Sequence, residues 1–297
     1  MQDVIVIGGS FAGHSAAIQL ARARQDVVLI DAGAPRNRFA DAAHGFLGQD
    51  GNAPHAIMRE ATRQLLKYPT AQVLSAEVQH AVRVDDHFVL TLSSGLERQA
   101  KRLVLATGVT DILPDIPGMA ERWGETVLHC PYCHGYEVRD HSLGIIANHP
   151  MSAHQAALIP DWGPAIYFTQ GIYDPEPEQA ALLAKRGVAI ERTPVIALLG
   201  ETPGLRAVEL SDGRTIDVAA VFTAPRTHQT SAIAEDLGCA LEEGPTGLFV
   251  KVDVWGLTSV SGVYAAGDAT SPMHNATVAS ASGVLAGIGA HQSLVRS

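Results

Sequence analysis

Val4-Ile5-Val6-Ile7-Gly8-Gly9-Ser10-Phe11-Ala12-Gly13 is the stretch that decides the fold. Four consecutive apolar residues of β type run into a glycine turn, and a helical pattern follows over His14–Arg24. A second apolar run, Val27–Ile30, ends at Asp31. Strand, glycine turn, helix, strand and terminal acid make up the mononucleotide-binding unit of an α/β protein. Gly8 permits the tight turn, and Gly13 permits close packing of helix on strand. The helix start at Ser10, Phe11 and Ala12 then faces a pyrophosphate, because the first amides of a helix lack intrahelical partners. Ser10 stands where the fingerprint has its middle glycine, and its small side chain still lets the backbone approach phosphates. Asp31, with Ala32 beside it, is placed to accept a hydrogen bond from a ribose hydroxyl.

The chain around this unit has 297 residues, 46% hydrophobic and 18% charged, which suits a soluble globular protein of roughly two domains. A formal net charge of −10 argues against a nucleic-acid or anionic-membrane partner. No basic and apolar leader precedes Val4, and no stretch is expected to approach a transmembrane span. The expected compartment is therefore the cytoplasm. There a CxxC pair signals redox catalysis or metal binding more often than a structural staple.

Two further segments repeat the logic of a strand ending in a small-residue turn: Val104-Leu105-Ala106-Thr107-Gly108 and Gly262-Val263-Tyr264-Ala265-Ala266-Gly267-Asp268. Two of the three cysteines stand between them, in Cys130-Pro131-Tyr132-Cys133-His134. The spacing allows an internal disulfide, and neighbouring charge can lower one thiol's pKa. Cys239 lies far off and reads as a small buried hydrophobe. Cys-x-x-Cys-His is also the c-type haem attachment signature, but haem attachment needs export and leaves the three glycine motifs unexplained. Zinc is a second rival, with His129, Cys130, Cys133 and His134 as ligands, but no second ligand pair stands elsewhere in the chain.

With all three motifs and the central CxxC in view, the chain resembles the flavoprotein disulfide reductases, in particular the low-molecular-weight thioredoxin reductases. The resemblance covers essentially the whole sequence. It implies an α/β fold of two Rossmann-like, three-layer ββα dinucleotide-binding domains, and a homodimer. The FAD domain would comprise residues 1–111 and 226–297, split by an NADPH-domain-like module over 112–225. Pro114 and Pro117 mark the first crossover, and Pro225-Arg226-Thr227 the second. The resemblance implies FAD held by Gly8, Ser10, Phe11, Ala12, Gly13, Asp31 and Ala32, by Ala106, Thr107 and Gly108, and by Gly267 and Asp268. Asp268 would bond the ribityl–phosphate region. His44, Asn275 and Ala276 fall where family members approach the isoalloxazine ring, with His274 beside them as a second candidate proton carrier. Arg36-Asn37-Arg38 reads either as a solvated loop or as a contact to the adenosine or pyrophosphate, and Arg38 is taken as the binding residue. By the same resemblance Cys133 faces the flavin and Cys130 exchanges with the external thiol, at a helix start whose dipole favours thiolate. His134 stands where many relatives carry aspartate, and is the candidate acid/base for the exchanging thiol.

The nicotinamide side departs from the family pattern. After the apolar run Leu143–Ala147, the expected glycine turn is replaced by Asn148-His149-Pro150-Met151-Ser152-Ala153. After Ala165–Thr169, the expected basic grip on a 2′-phosphate is replaced by Gln170-Gly171-Ile172-Tyr173-Asp174-Pro175-Glu176. NADPH use is therefore doubtful. This loss, with the CxxCHGYE centre, resembles a subgroup that includes the gliotoxin- and holomycin-type dithiol oxidases. That points to dithiol oxidation with dioxygen as acceptor. The substrate would be a small dithiol or a thioredoxin-like protein. An NAD(P)H-dependent thioredoxin reductase and a flavin redox sensor with little turnover remain as alternatives. Without nicotinamide, the domain rotation of thioredoxin reductases loses its purpose, and a fixed arrangement is expected.

Overall fold

The computed structural model describes residues 1–296. The first sheet is built on β1 (Gln2–Ile7), β2 (Val27–Asp31), β3 (Ala71–Ser75), β4 (Val78–Val84), β5 (His87–Leu92) and β6 (Glu97–Leu105). Their order is β3-β2-β1-β6-β5-β4, parallel from β3 to β6 and antiparallel through the β4–β5 hairpin. Side chains alternate across β1 because successive Cβ atoms point to opposite faces. Val4 and Val6 join α1 (Phe11–Arg22) in one core, while Ile5 and Ile7 pack with Phe88 and Leu90 of the hairpin in another. Burial on both faces makes β1 read as an unbroken apolar run.

The helix after β1 starts at Phe11, three residues before the sequence pattern suggests, and ends at Arg22. The glycine turn is short enough that Ser10 is already the cap residue. Gly8 has φ +103°, a conformation that costs a side-chain-bearing residue its Cβ clearance, and a Cβ there would also strike the Ala106 carbonyl. A Cβ at Gly13 would strike the Gly8 carbonyl, so the close approach expected of Gly13 is real.

β7 (Val109–Ile112) leaves the first sheet and pairs antiparallel with β16 (Arg226–Gln229), forming the ribbon where the chain crosses out and back. Between these strands lie β8 (Val127–Leu128), α3 (Pro131–His134), β9 (Leu143–Ile146), α4 (Ser152–Leu158), β10 (Ala165–Phe168), α5 (Pro177–Lys185) and β11 (Ala189–Glu191). They are followed by β12 (Val195–Leu199), β13 (Ala207–Leu210), β14 (Thr215–Asp217) and β15 (Ala220–Phe222). The second parallel sheet has the order β11-β10-β9-β15-β8, and β12-β13-β14 forms an antiparallel layer against it. The expectation of two Rossmann-like parallel-sheet units holds.

After the ribbon come α6 (Ile233–Asp236), a hairpin of β17 (Leu241–Glu243) and β18 (Leu248–Val250), β19 (Val263–Ala265) and α7 (Ala276–Val295). β19 returns to the first sheet, parallel to β6. The free thiol of Cys239 is buried in the first core, where burial raises its pKa. One expectation needs correction: α7 is long and apolar enough, by length and composition, to cross a membrane, at a mean hydropathy of 1.2. Its small residues explain the apolar reading another way. Gly283 and Gly287 press against the backbone of Ala12 and Ala16, so α7 packs on α1 with no room for a Cβ at the contact.

Candidate active site

A cavity of about 440 Å³ opens between the two halves. From the first half its wall takes Ser10, Phe11, Ala12, Arg36, Arg38, His44, Ala106, Thr107, Gly108, Gly267, Asp268, His274, Asn275 and Ala276. From the inserted segment it takes Leu128, His129, Cys130, Cys133 and His134. Four of the sequence-derived candidates are not on this wall. Gly8 and Gly13 act behind it, by allowing the turn and the helix approach. Asp31 uses Oδ1 to accept the Gly9 amide at 3.0 Å, which ties the turn to the end of β2, and Ala32 is exposed.

Cys130 and Cys133 are joined as a disulfide, with Cα atoms 5.3 Å apart. Cys130 is the cap residue of α3, and Pro131 opens the helix with its φ already set. The helix is a single turn of four residues, so the dipole support expected for a thiolate is small. Burial lowers the pKa of His134; Glu137 opposes the shift and His44 adds to it. His134 is therefore neutral near pH 7 and able to take a proton. Its ring lies edge-on to His44, with centroids 6.3 Å apart, and His44 stands 3.5 Å from Glu137. Deeper in the cavity the His129 and His274 rings are 6.2 Å apart. Burial, and then the Arg36 cation, hold His129 at about 3 and His274 at about 4.

The loop after β2 brings both of its arginines to the cavity wall. Arg38 is exposed, bonds the Pro35 carbonyl and stacks over Phe39, 4.2 Å from the ring centroid. Arg36 is the residue that turns inward. Its Nε and Nη2 donate to the two oxygens of Asp111 at 2.9 and 2.5 Å, and its Nη1 donates to Asp268 Oδ2 at 3.1 Å. Burial pushes Asp268 above the usual carboxylate range, and Arg36 opposes that push. Sequence reasoning missed Asp111 altogether. Nothing local marks it, because its partner is 75 residues away.

The two candidate nucleotide turns differ in where their amides go. No side chain caps α1, so its first amides are left for a ligand. With the tight turn that Gly8 allows behind them, and Asp268 also on the cavity wall, these residues fit a flavin dinucleotide. The turn after β9 is the reverse. Ser152 Oγ accepts the amides of Asn148 at 3.2 Å and His149 at 3.4 Å, and His149 Nδ1 accepts that of Met151 at 3.1 Å. The Ser152 amide goes to the His149 carbonyl, and Pro150 has none. After β10, the Gln170 side chain clamps both backbone groups of Val195, and Arg192 pairs with Asp174 at 3.0 Å. The amides and side chains of this side are thus engaged within the protein.

Comparison with known proteins follows the same lines. The family model described as pyridine nucleotide-disulphide oxidoreductase matches residues 2–146 and 173–283. A protein named thioredoxin reductase tcpT, from Claviceps purpurea, is 33% identical over 296 residues, covering 96% of this chain and 92% of its own length. Thioredoxin reductase sirT from Leptosphaeria maculans is 29% identical over 305 residues, covering 97% and 92%. Among solved structures, an oxidoreductase from Agrobacterium tumefaciens superposes with a TM-score of 0.94 at 46% identity, covering 99% of this chain and 98% of its own. HlmI superposes with a TM-score of 0.92 at 37% identity, covering 99% and 93%.

Proposed function

The chain belongs to the pyridine nucleotide-disulphide oxidoreductase family, and from that premise we propose that it oxidises dithiols without NADPH, passing electrons to dioxygen. Membership implies a flavin cofactor and chemistry on sulfur groups. The observation that carries the finer reading is Ser152. Its hydroxyl takes up the amides that a pyrophosphate would need, while the corresponding amides of α1 stay uncapped.

In the proposed reaction, a substrate thiolate attacks Sγ of Cys130, and Cys133 leaves as the thiol. The second substrate thiol then attacks the mixed disulfide, releasing the oxidised substrate and leaving Cys130 and Cys133 reduced. His134 takes the proton that each attacking thiol must shed and returns one to each leaving sulfur. Its neutral state near pH 7 suits it to that exchange. Bound flavin supplies the two-electron relay from the cysteine pair to dioxygen, which leaves as hydrogen peroxide. The sum is one dithiol and one dioxygen giving one disulfide and one peroxide.

The test is an anaerobic visible-absorbance titration of the yellow protein with dithiothreitol and, separately, with NADPH. Bleaching by the dithiol alone, with colour restored by air, is the expected result. Rapid bleaching by NADPH would sink the proposal and favour the activity named for the two fungal relatives.

A further inference from the structure

Three charged side chains from distant parts of the chain meet in the flavin cavity, and one of them, Asp111, was assigned no role by the sequence. Arg36 comes from the loop after β2, Asp111 from the crossover strand β7, and Asp268 from the turn after β19. The side chains are 18%, 8% and 21% exposed. One guanidinium serves two carboxylates, and it serves them unequally. Asp111 takes the two-pronged edge, Nε and Nη2, with both its oxygens. Asp268 receives a single bond from Nη1, through Oδ2. Its Oδ1 has no hydrogen-bond partner among the described residues and is not sealed from solvent, while the residue itself lines the cavity.

We propose that Asp111 is a positioning residue for flavin capture: by holding the two-pronged edge of Arg36, it leaves Asp268 one oxygen open to the cofactor. The physical reason is competition. A bidentate guanidinium–carboxylate pair is the strongest arrangement open to either group. Without Asp111, the desolvated Arg36 finds its best partner in Asp268, turns its fork onto that carboxylate and covers both oxygens. A buried cation left without its partner has strong reason to make that move. Arg36 itself would remain in place, so the loss would fall on Asp268. The inference rests on the flavin reading of the cavity, and not on the direction of electron flow.

Simple charge counting gives the opposite sign, which makes the idea easy to test. Asp111→Ala removes a negative charge from a cavity meant for an anionic dinucleotide, so Coulomb's law alone predicts tighter FAD. Positioning predicts weaker FAD. The measurement is the FAD dissociation constant of the holoprotein, followed by the fluorescence of released flavin on dilution at fixed salt. It would be made for the parent, D111A, R36A and the R36A/D111A pair. The expected result is a rise of at least tenfold in D111A, and little further change when D111A is added to R36A. Unchanged or tighter binding in D111A overturns the proposal. So does an equal loss in the presence and absence of Arg36, which would mark Asp111 as a general structural residue. Should D111A fold poorly, the comparison of R36A with R36A/D111A still decides, because a pair that binds much worse than R36A alone refutes the mechanism. A parent protein that binds no FAD would instead overturn the flavin reading itself.

Discussion

Replacing Ser152 with alanine tests the feature that closes the second nucleotide turn. Ser152 is fully buried, and its Oγ accepts two amides, at 3.2 and 3.4 Å. Both bonds are long, so each is worth about 0.5–1 kcal/mol net, and orphaning a buried amide adds to the loss. With two amides left unpaired in a buried turn, the whole change should cost about 1–2 kcal/mol. In a chain of this size that lowers Tm by roughly 2–3 °C. The assay is thermal unfolding by circular dichroism in fixed excess FAD, because the cofactor itself shifts Tm by mass action. S152A should still resist bleaching by NADPH, since Pro150 offers no amide and the His149 ring stays in the turn. An unchanged Tm would refute the reasoning, because the two amides would then not depend on Ser152. NADPH bleaching in S152A would refute the claim that His149 and Pro150 also fill the site.

Two other outcomes follow from the cavity and the helix pair behind it. Burial depresses His129 to about 3 and His274 to about 4, both below the unfolded value near 6.5. Their contribution is present above pH 6.5 and is lost as pH falls toward the folded values, because the unfolded chain then binds protons that the folded one refuses. Between pH 7 and 5 the two together should cost on the order of 3 kcal/mol, read from urea midpoints, and a His129→Gln, His274→Gln protein should lose most of that slope. At the helix contact, Gly283→Ala puts a methyl group into the Ala12 carbonyl, which forces α1 and α7 apart. A loss of about 1–3 kcal/mol and poorer flavin retention on a desalting column are expected, because Ala12 lines the cavity. Full retention would mean that the helices move without disturbing the cofactor site.

Much of the fold was legible because it is written locally. Val4–Ile7, Val27–Ile30 and Leu143–Ile146 are buried on both faces and so appear as unbroken apolar runs, and Gly8 and Gly13 stand where no side chain fits. The helix start was misplaced because Phe11, Ala12 and Gly13 have no polar face to show a helical period. In the site, Cys130, Cys133 and His134 are neighbours in sequence, and the motif turns reach the cavity through backbone that must be small. Arg36 and Arg38 both line the cavity, and a loop sequence does not say that Arg36 meets Asp111 and Asp268 there.

The sequence by itself determined the parallel-sheet units, the cysteine pair and the loss of glycines from the second turn, since each depends on residues within a few positions of one another. Tertiary structure alone decided that Arg36 lies between Asp111 and Asp268 and that His129 faces His274. Such contacts depend on how the chain closes on itself over tens to hundreds of residues. Their energy comes from burial and from the choice among competing partners, and neither leaves a local pattern to read.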